Sequence, residues 1–288
     1  MTTIQSTASR EVDVLTASTL KHLRERWWSA EFTDFLRETL QPRAGDRLLD
    51  VGCGGGTAEV RLGQLGISQM RLFGVDLIGR RVAQAVAFAR AHNIRARFAA
   101  ADACALPFKT GAFDSTFCIA VLQHIRDLAG AVRELARVTK PGGRVLVIEP
   151  DNAARYWYSS SADGMRAFAL ATRFFAALES LTPDGDLAVG PRISTIFPQL
   201  GVETTQIRLF PVSVTRIGAP GAAVWDERRA VFDGALARLT DPALKKLGAE
   251  YLTALEAYKA AAIAAGPQFV EIQSTTLFAT VGQKLFKN

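Results

Sequence analysis

The sequence predicts an α/β protein built on a doubly wound, mostly parallel sheet. Between residues 41 and 150, apolar runs of strand length alternate with segments of helical spacing. The runs are apolar almost throughout, which is typical of parallel strands covered on both faces. A cluster of glycines follows the first run, in "LLDVGCGGGT" at 48–57. In such folds ligands bind at the carboxyl ends of the strands, where these glycines lie.

The predicted elements follow the chain in a regular order. The predicted strands are 46–51, 71–76, 96–102, 113–122, 144–150, 206–214 and 271–282. Helices are predicted at 20–40, 57–66, 79–93 and 128–140, with a helical pair at 221–265. Asn93 ends the third of these helices, and Pro141 with two glycines closes the fourth. The count of strands gives a seven-stranded sheet.

Length and composition favour one integrated domain with insertions. The 288 residues, 49% of them hydrophobic, are enough to bury a full core. We expect a helical cap at 1–40, an α/β core at 41–150 and, at 151–288, the rest of the sheet with helical insertions. The polar start "MTTIQSTASR" and the lack of 18 consecutive apolar residues predict a cytoplasmic protein with no membrane partner. The three cysteines form no CxxC pair, so neither disulfides nor a metal site are expected.

The spacing of the glycine cluster distinguishes between cofactors. Gly52, Gly54 and Gly56 make GxGxG, whereas the dinucleotide fingerprint GxGxxG would need a third glycine at Thr57. Asp50 ends the first strand just before the loop. A carboxylate there would repel a pyrophosphate but bind an ammonium group.

A second acid follows the second strand. Asp76 stands twenty residues beyond Gly56, where a carboxylate can accept both hydroxyls of a ribose. An amine on one side of the loop and a ribose on the other describe S-adenosylmethionine.

Four segments resemble class I S-adenosylmethionine-dependent methyltransferases of the small-molecule type, over about residues 45–150. They are "LLDVGCGGG", "GVD", "AADACALPFKTGAFDSTFCIAVLQHI" and "VTKPGGRVLVIEPD", in the family's order. The resemblance implies a Rossmann-like methyltransferase fold with S-adenosylmethionine as cofactor. It further implies that Asp102 holds the adenine amino group, that the Ala103 amide contacts the ring and that Asp76 holds the ribose. The predicted cofactor-binding residues are Asp50, Gly52, Gly54, Gly56, Asp76, Leu77, Asp102 and Ala103.

Methyl transfer depends mainly on alignment in a dry pocket, so a base is needed only where the acceptor must lose a proton. Of the three histidines, His124 follows the fourth strand beside the predicted methyl donor. It is the candidate catalytic residue; its alternative is a loop or packing role. His92 is interpreted as a helix cap and His22 as part of a charged helix. Cys118 is interpreted as a core residue.

All tryptophans and tyrosines lie outside 41–150. We therefore expect segments 21–40, 151–175 and 221–265 to form an acceptor lid, with Trp28, Tyr156 and Trp157 as candidate substrate contacts. The alternative is that each aromatic side chain packs its own helix on the sheet.

Two other functions remain open at this point. A net charge of +6 is compatible with an RNA methyltransferase, but no basic, aromatic-interleaved module or NPPY-like motif appears. The other is a non-catalytic relative that binds the cofactor. A small, apolar or aromatic methyl acceptor is favoured, with no nucleic-acid partner expected; O-, N- and C-methylation are not distinguished.

Overall fold

The computed structural model describes residues 27–180, 188–237 and 239–286. Within them the chain forms a seven-stranded, mostly parallel sheet, in the order β3-β2-β1-β4-β5-β7-β6. The strands are β1 (Arg47–Val51), β2 (Arg71–Asp76), β3 (Ala96–Ala100), β4 (Phe113–Ile119), β5 (Thr139–Ser159), β6 (Val202–Ile217) and β7 (Val270–Lys284). The predicted fold class is confirmed. His22 and residues 1–26 of the predicted cap lie outside the described residues.

Helices separate most consecutive strands, but β3 is followed by β4 without one, as in the predicted order. They are α1 (Ala30–Leu40), α2 (Thr57–Gly63), α3 (Gly79–Ala91), α4 (Leu128–Val138), α5 (Ala162–Ser180), α6 (Val189–Ile196), α7 (Ala222–Leu236) and α8 (Pro242–Ala265). A short 3₁₀ helix, Leu122–His124, follows β4. His92 is the C-terminal cap of α3, and its Nδ1 lies 2.9 Å from the Phe88 carbonyl oxygen. Its interpretation as a cap is confirmed.

The structure corrects the predicted bounds of the fifth strand. The sequence predicted a strand at 144–150 after a helix reaching residue 140, whereas α4 ends at Val138 and β5 begins at Thr139. Thr139 Oγ1 donates to the Leu135 carbonyl at 2.7 Å, which satisfies one of the last helical acceptors where the chain leaves the helix. Pro141 therefore lies inside the strand rather than closing the helix.

The described chain divides into two compact units. The α/β unit comprises residues 28–151, 188–210 and 277–286, and the helical unit comprises residues 27, 152–180, 211–237 and 239–276. The α/β unit holds β1–β4 and the first part of β5. Leu49, Phe113, Val132, Leu135 and Val147 are among the fully buried residues of its apolar core.

The order of the strands locates the crevice of the candidate site, between the carboxyl ends of β1 and β4. β1 pairs in parallel with β2 on one side and with β4 on the other. The chain thus leaves β1 in one direction along the sheet, through β2 to β3, and returns to its other side at β4. The carboxyl ends of β1 and β4 flank this topological switch point, where ligands of open α/β sheets bind.

The helical unit has its own core of aromatic side chains on α5, α7 and α8. Phe232 stacks on Tyr251 with ring centroids 3.6 Å apart, and Trp225 meets Tyr258 edge to face. Tyr258 also donates a hydrogen bond to the buried carboxylate of Glu271. Arg228 and Arg216 reach the same carboxylate at 2.6 Å, so that two guanidinium groups and a phenol surround one buried acid.

In the part of the chain that the structure describes, no helix combines the length and the apolar character needed to cross a membrane.

Candidate active site

The glycine loop connects β1 to α2 and turns sharply against β2. The amides of Gly52 and Cys53 both donate to the Val75 carbonyl, at 2.7 and 2.9 Å. Gly52 and Gly54 have φ values of +81° and +53°, a left-handed backbone that side chains rarely adopt. The loop is therefore fixed by hydrogen bonds to the neighbouring strand.

The loop glycines are required for different reasons. A Cβ on Gly52 would lie 2.2 Å from Val121 Cγ2, and one on Gly56 would lie 3.0 Å from the Cβ of Ala85. At Gly54, by contrast, no described atom lies within 4 Å of the Cβ position. Gly52 and Gly56 are thus required by packing. Gly54 faces open space, where a ligand can approach the backbone.

Asp76 ties the glycine loop to the end of β2. Its two carboxylate oxygens accept the amides of Gly54 and Ile78, at 3.0 and 2.9 Å. Leu77, the next residue, is 52% exposed despite its apolar side chain. An exposed leucine beside a held carboxylate suits the flat face of a ligand ring. The predicted ribose contact of Asp76 stays a prediction.

Asp102 and Ala103 follow β3 in a tight turn. Asp102 Oδ1 accepts the Cys104 amide at 2.8 Å, and its side chain is exposed. The Ala101 amide donates to the Asp76 carbonyl at 3.1 Å, so this turn lies at the end of β2 that carries Asp76. Ala103 packs half-buried on the core. The structure thus brings Asp76, Asp102 and Ala103, the predicted ribose and adenine contacts, to one edge of the sheet.

Asp50 lies under the glycine loop and is almost fully buried, with 3% of its surface exposed. Among the described residues nothing donates a hydrogen bond to its Oδ1. Burial, and then the negative charge of Asp76, raise the pKa of Asp50 well above its usual range. A buried carboxyl oxygen without a partner is costly, so a cationic or hydrogen-bond-donating ligand would be stabilised beside it.

A second loop carries His124 next to the glycine loop. After β4, Ala120 takes a left-handed conformation with φ +55°, and the chain enters the 3₁₀ helix that ends at His124. The buried carboxylate of Glu149, in the middle of the neighbouring β5 strand, accepts the amides of Val121 and Leu122. Because Val121 also packs over Gly52, this loop is held directly beside the glycine loop. His124 is exposed at its end.

Comparison with known proteins identifies this arrangement. Residues 49–147 match the family model of the methyltransferase domain. The α/β core of this chain is a methyltransferase domain. The match begins in β1 and ends in β5, so it includes the glycine loop, Asp76, Asp102 and the His124 loop. The predicted resemblance is confirmed for this core.

Two curated relatives resemble the methyltransferase domain. The 27-O-demethylrifamycin SV methyltransferase of Amycolatopsis mediterranei is 34% identical over 119 residues, 41% of this chain and 43% of that protein. A ubiquinone biosynthesis O-methyltransferase of Albidiferax ferrireducens is 34% identical over 153 residues, 48% of this chain and 59% of that protein. The chain thus spans about half the length of the curated relatives it matches.

The fold extends further than the sequence similarity. The solved structure of the (4+2)-cyclase SpnF has a TM-score of 0.53, with 21% identity, over 89% of this chain and 81% of that one. Identity this low shows the fold alone. Since the neighbour is named as a cyclase, the fold of the methyltransferase domain does not by itself fix the reaction.

The residues of the methyltransferase domain fit S-adenosylmethionine. The unpartnered buried oxygen of Asp50 suits the ammonium group of its methionine part. The open space at Gly54 leaves the loop backbone accessible, and Leu77 and Asp102 are exposed just after the carboxyl ends of β2 and β3. In the described residues no group of three histidine, cysteine or acidic side chains could hold a metal ion.

The predicted acceptor contacts divide between the two units. Trp28, in the α/β unit, is half-buried and meets Phe32 edge to face at 5.4 Å. Tyr156 and Trp157 lie in the helical unit. Trp157 packs on Phe168 at 4.5 Å, whereas Tyr156 is 58% exposed. Trp225 and the two tyrosines of α8, Tyr251 and Tyr258, are core residues, so aromatic packing accounts for part of the pattern seen in the sequence.

Two acids of the methyltransferase domain were not predicted as site residues. Glu149 and Glu59 are both fully buried. Glu149 stands in "VIEPD" at the carboxyl end of a predicted strand, a position that could have marked it as a candidate. Glu59 falls in a helical pattern, where an acid in the first turn is common, so nothing in the sequence distinguished it.

Proposed function

We propose that the protein is an S-adenosylmethionine-dependent methyltransferase acting on a small organic acceptor, apolar or aromatic in character. The observation that carries the proposal is Asp50, buried with an unpartnered oxygen beside the glycine loop of a methyltransferase domain. When bound, S-adenosylmethionine supplies an electrophilic methyl group on a positively charged sulfur.

The residues of the domain have separate binding roles in this proposal. Asp50 binds the ammonium group, and the backbone around Gly54 accommodates the rest of the methionine part. Asp76 holds the ribose hydroxyls. Each carboxylate oxygen then accepts a hydroxyl in addition to the backbone amide of Gly54 or Ile78 that it already accepts. Leu77, Asp102 and Ala103 contact the adenine ring.

The chemical contribution of the protein is mainly alignment. Fixing donor and acceptor in line can supply about 7–11 kcal/mol of the barrier reduction. His124 removes a proton from a hydroxyl acceptor, since it is exposed on a loop fixed beside the glycine loop. Its backbone is positioned through Glu149, which holds the start of the same 3₁₀ helix.

A small organic acceptor is favoured over a nucleic acid. The relatives are named for a rifamycin and for ubiquinone biosynthesis. In our proposal Trp28, Tyr156 and Trp157 are the candidate acceptor contacts. The free Cys53, Cys104 and Cys118 favour a reducing compartment, and we assign the enzyme to the cytoplasm.

Calorimetry and a turnover assay test this function together. Purified protein is titrated with S-adenosylmethionine and S-adenosylhomocysteine. It is then incubated with phenols, catechols, amines and transfer RNA, and methylated products are identified by mass. We expect both cofactors to bind and methyl transfer to occur to a phenol or catechol. Absence of binding, or transfer to RNA alone, would contradict the proposal.

A further inference from the structure

The Glu59 carboxyl occupies the space that a side chain at Gly74 would take, next to Asp50. Asp50 and Gly74 are register partners on the parallel strands β1 and β2, so their Cα–Cβ directions point to the same face of the sheet. The Cβ position of Gly74 lies 2.2 Å from Glu59 Oε1. The Glu59 carboxyl therefore fills the side-chain space of residue 74, on the face to which Asp50 projects.

An aromatic ring lines the space that the Glu59 carboxyl occupies. Phe98 on β3 is the register partner of Gly74, and its ring carbon Cδ1 lies 2.7 Å from the same Cβ position. Glu59 is fully buried, and among the described residues no other residue donates a hydrogen bond to either of its carboxyl oxygens. Two carboxyls with unpartnered oxygens thus lie side by side in the interior.

Among the described residues, the titratable groups that interact with this pair are acids and thiols. In addition to burial, the charge of Asp76 on β2 raises the pKa of Asp50. The charges of the pair in turn add to burial in raising the pKa of the Cys53 thiol in the loop, and that of Asp50 adds to burial in raising the pKa of Cys118 on β4. Burial raises the pKa of Glu59, and the charge of Asp50 raises it further. Burial likewise raises the pKa of the Cys53 thiol, which keeps that group neutral. Two carboxylates in this environment cannot both be ionised at low cost.

We propose that Glu59 and Asp50 share one proton in the ligand-free protein, and that a cationic ligand binding at Asp50 releases this proton to solvent. Glu59 is then a positioning residue that acts through Asp50 on ammonium binding. The carboxyl pair stands on the geometry alone, whereas the identity of the ligand rests on the proposed function.

The sign of the pH dependence follows from the raised pKa values. A carboxyl whose pKa is higher in the folded than in the unfolded state contributes stability that is complete below the unfolded pKa, about 4. This stability is lost as the pH rises through the folded value. The ligand-free protein should therefore lose stability on the alkaline side, and removing one carboxyl of the pair should reduce this loss.

Unfolding of the ligand-free protein tests the pair without any cofactor. Wild type and Glu59→Gln, a change of nearly equal volume, are unfolded in urea across acid to alkaline pH. We expect the fall in midpoint above neutral pH to be smaller in Glu59→Gln. The control is Glu134→Gln. The hydrogen bond from Arg137 lowers the pKa of Glu134, although burial opposes this. The stability that Glu134 contributes is therefore lost in acid, not at alkaline pH. Equal alkaline slopes in wild type and Glu59→Gln would overturn the proposal.

Proton release on binding tests the link to the ligand. S-adenosylhomocysteine, which keeps the ammonium group, is titrated at neutral pH in two buffers of different ionisation enthalpy. We expect wild type to release a proton and Glu59→Gln to release less. Equal release by both proteins would overturn the proposal. If the nucleoside does not bind to wild type, the proposed function fails, while the unfolding slopes still decide whether the carboxyl pair exists.

Infrared difference spectroscopy tests the shared proton in wild type alone, so its result does not depend on whether any variant folds. Addition of S-adenosylhomocysteine should remove the carbonyl band of a protonated carboxyl group. Binding without loss of such a band would contradict the shared proton.

Discussion

The buried carboxylate of Glu149 accepts the backbone amide of Leu122 at 2.7 Å, and the same oxygen accepts the neighbouring Val121 amide. A residue in the middle of β5 thereby fixes the start of the 3₁₀ helix that carries His124. The acid has a structural function that its place in the sequence only suggests. The backbone of residues 121–123 depends on it.

Replacing Glu149 by alanine should loosen this helix. The amides of Val121 and Leu122 would lose their acceptor, at about 1–3 kcal/mol for each buried group left unsatisfied, and the Gln123 amide would lose a longer hydrogen bond of 3.4 Å. We expect a lower melting temperature, faster hydrogen exchange at residues 121–123 and a lower kcat with the best acceptor. Glu149→Gln is the matched control, since its single carbonyl oxygen can still accept both amides. If exchange at 121–123 is unchanged in Glu149→Ala, the carboxylate does not hold the helix.

The two loop glycines should respond differently to substitution. Gly52→Ala places a Cβ against Val121 and should destabilise the fold by about 1–3 kcal/mol. The side chain of Gly54→Val meets no described atom, so its only cost to the fold should be a backbone strain of about 1–2 kcal/mol at positive φ. It should nevertheless abolish S-adenosylmethionine binding. Melting curves and calorimetry separate the two effects. Cys53→Ala is the control and should change affinity little. Normal affinity in Gly54→Val would contradict ligand approach at this residue.

Asp76→Ala should weaken S-adenosylmethionine binding at least tenfold, about 1.4 kcal/mol or more. The predicted ribose contacts are lost, and the loop amide of Gly54 loses its acceptor. Calorimetry measures the dissociation constant. Asp34→Ala removes a carboxylate on α1 that is 60% exposed and forms a salt bridge to Arg37, and it should leave the constant unchanged. An unchanged constant in Asp76→Ala as well would show that Asp76 is not a cofactor ligand.

Tyr156→Ala tests acceptor recognition better than the tryptophans do. Trp28 and Trp157 pack on phenylalanines, so their replacement by alanine should lower both turnover and stability. Tyr156 is largely exposed, and its loss should raise the KM of the acceptor while cofactor affinity stays within about threefold, 0.65 kcal/mol. Trp225→Ala is the packing control, expected to lower the melting temperature. An unchanged KM in Tyr156→Ala would remove this residue from the acceptor site.

Acid should weaken the helical unit through Glu271. Burial opposes ionisation of Glu271, but the charge of Arg228 and its hydrogen bond lower its pKa below the usual range. The stability from this group is therefore present above the unfolded pKa, about 4, and is lost as the pH falls through the folded value. Glu271→Gln should be less stable than wild type at neutral pH and should approach it in acid, as followed by tryptophan fluorescence. A stability difference that is independent of pH would contradict this.

The sequence by itself determined the architecture of the core and the position of its loop. Strand and helix periods are local properties, and the order of apolar runs leaves few topologies open, so β1 to β4 and the switch point were predictable. The spacing of Gly52, Gly54 and Gly56 and the acids Asp50 and Asp76 identified the cofactor class for the same reason. These features lie within one or two adjacent elements.

Tertiary structure alone decided which acids act together. The Glu59 carboxyl lies beside Asp50 only because β1 and β2 pair in a register that sets Gly74 opposite Asp50. Glu149 reaches the amide of Val121, 28 residues earlier in the chain, because β4 and β5 are neighbours in the sheet. Side-chain direction and strand register fix such contacts, and neither can be deduced from the period of a single segment.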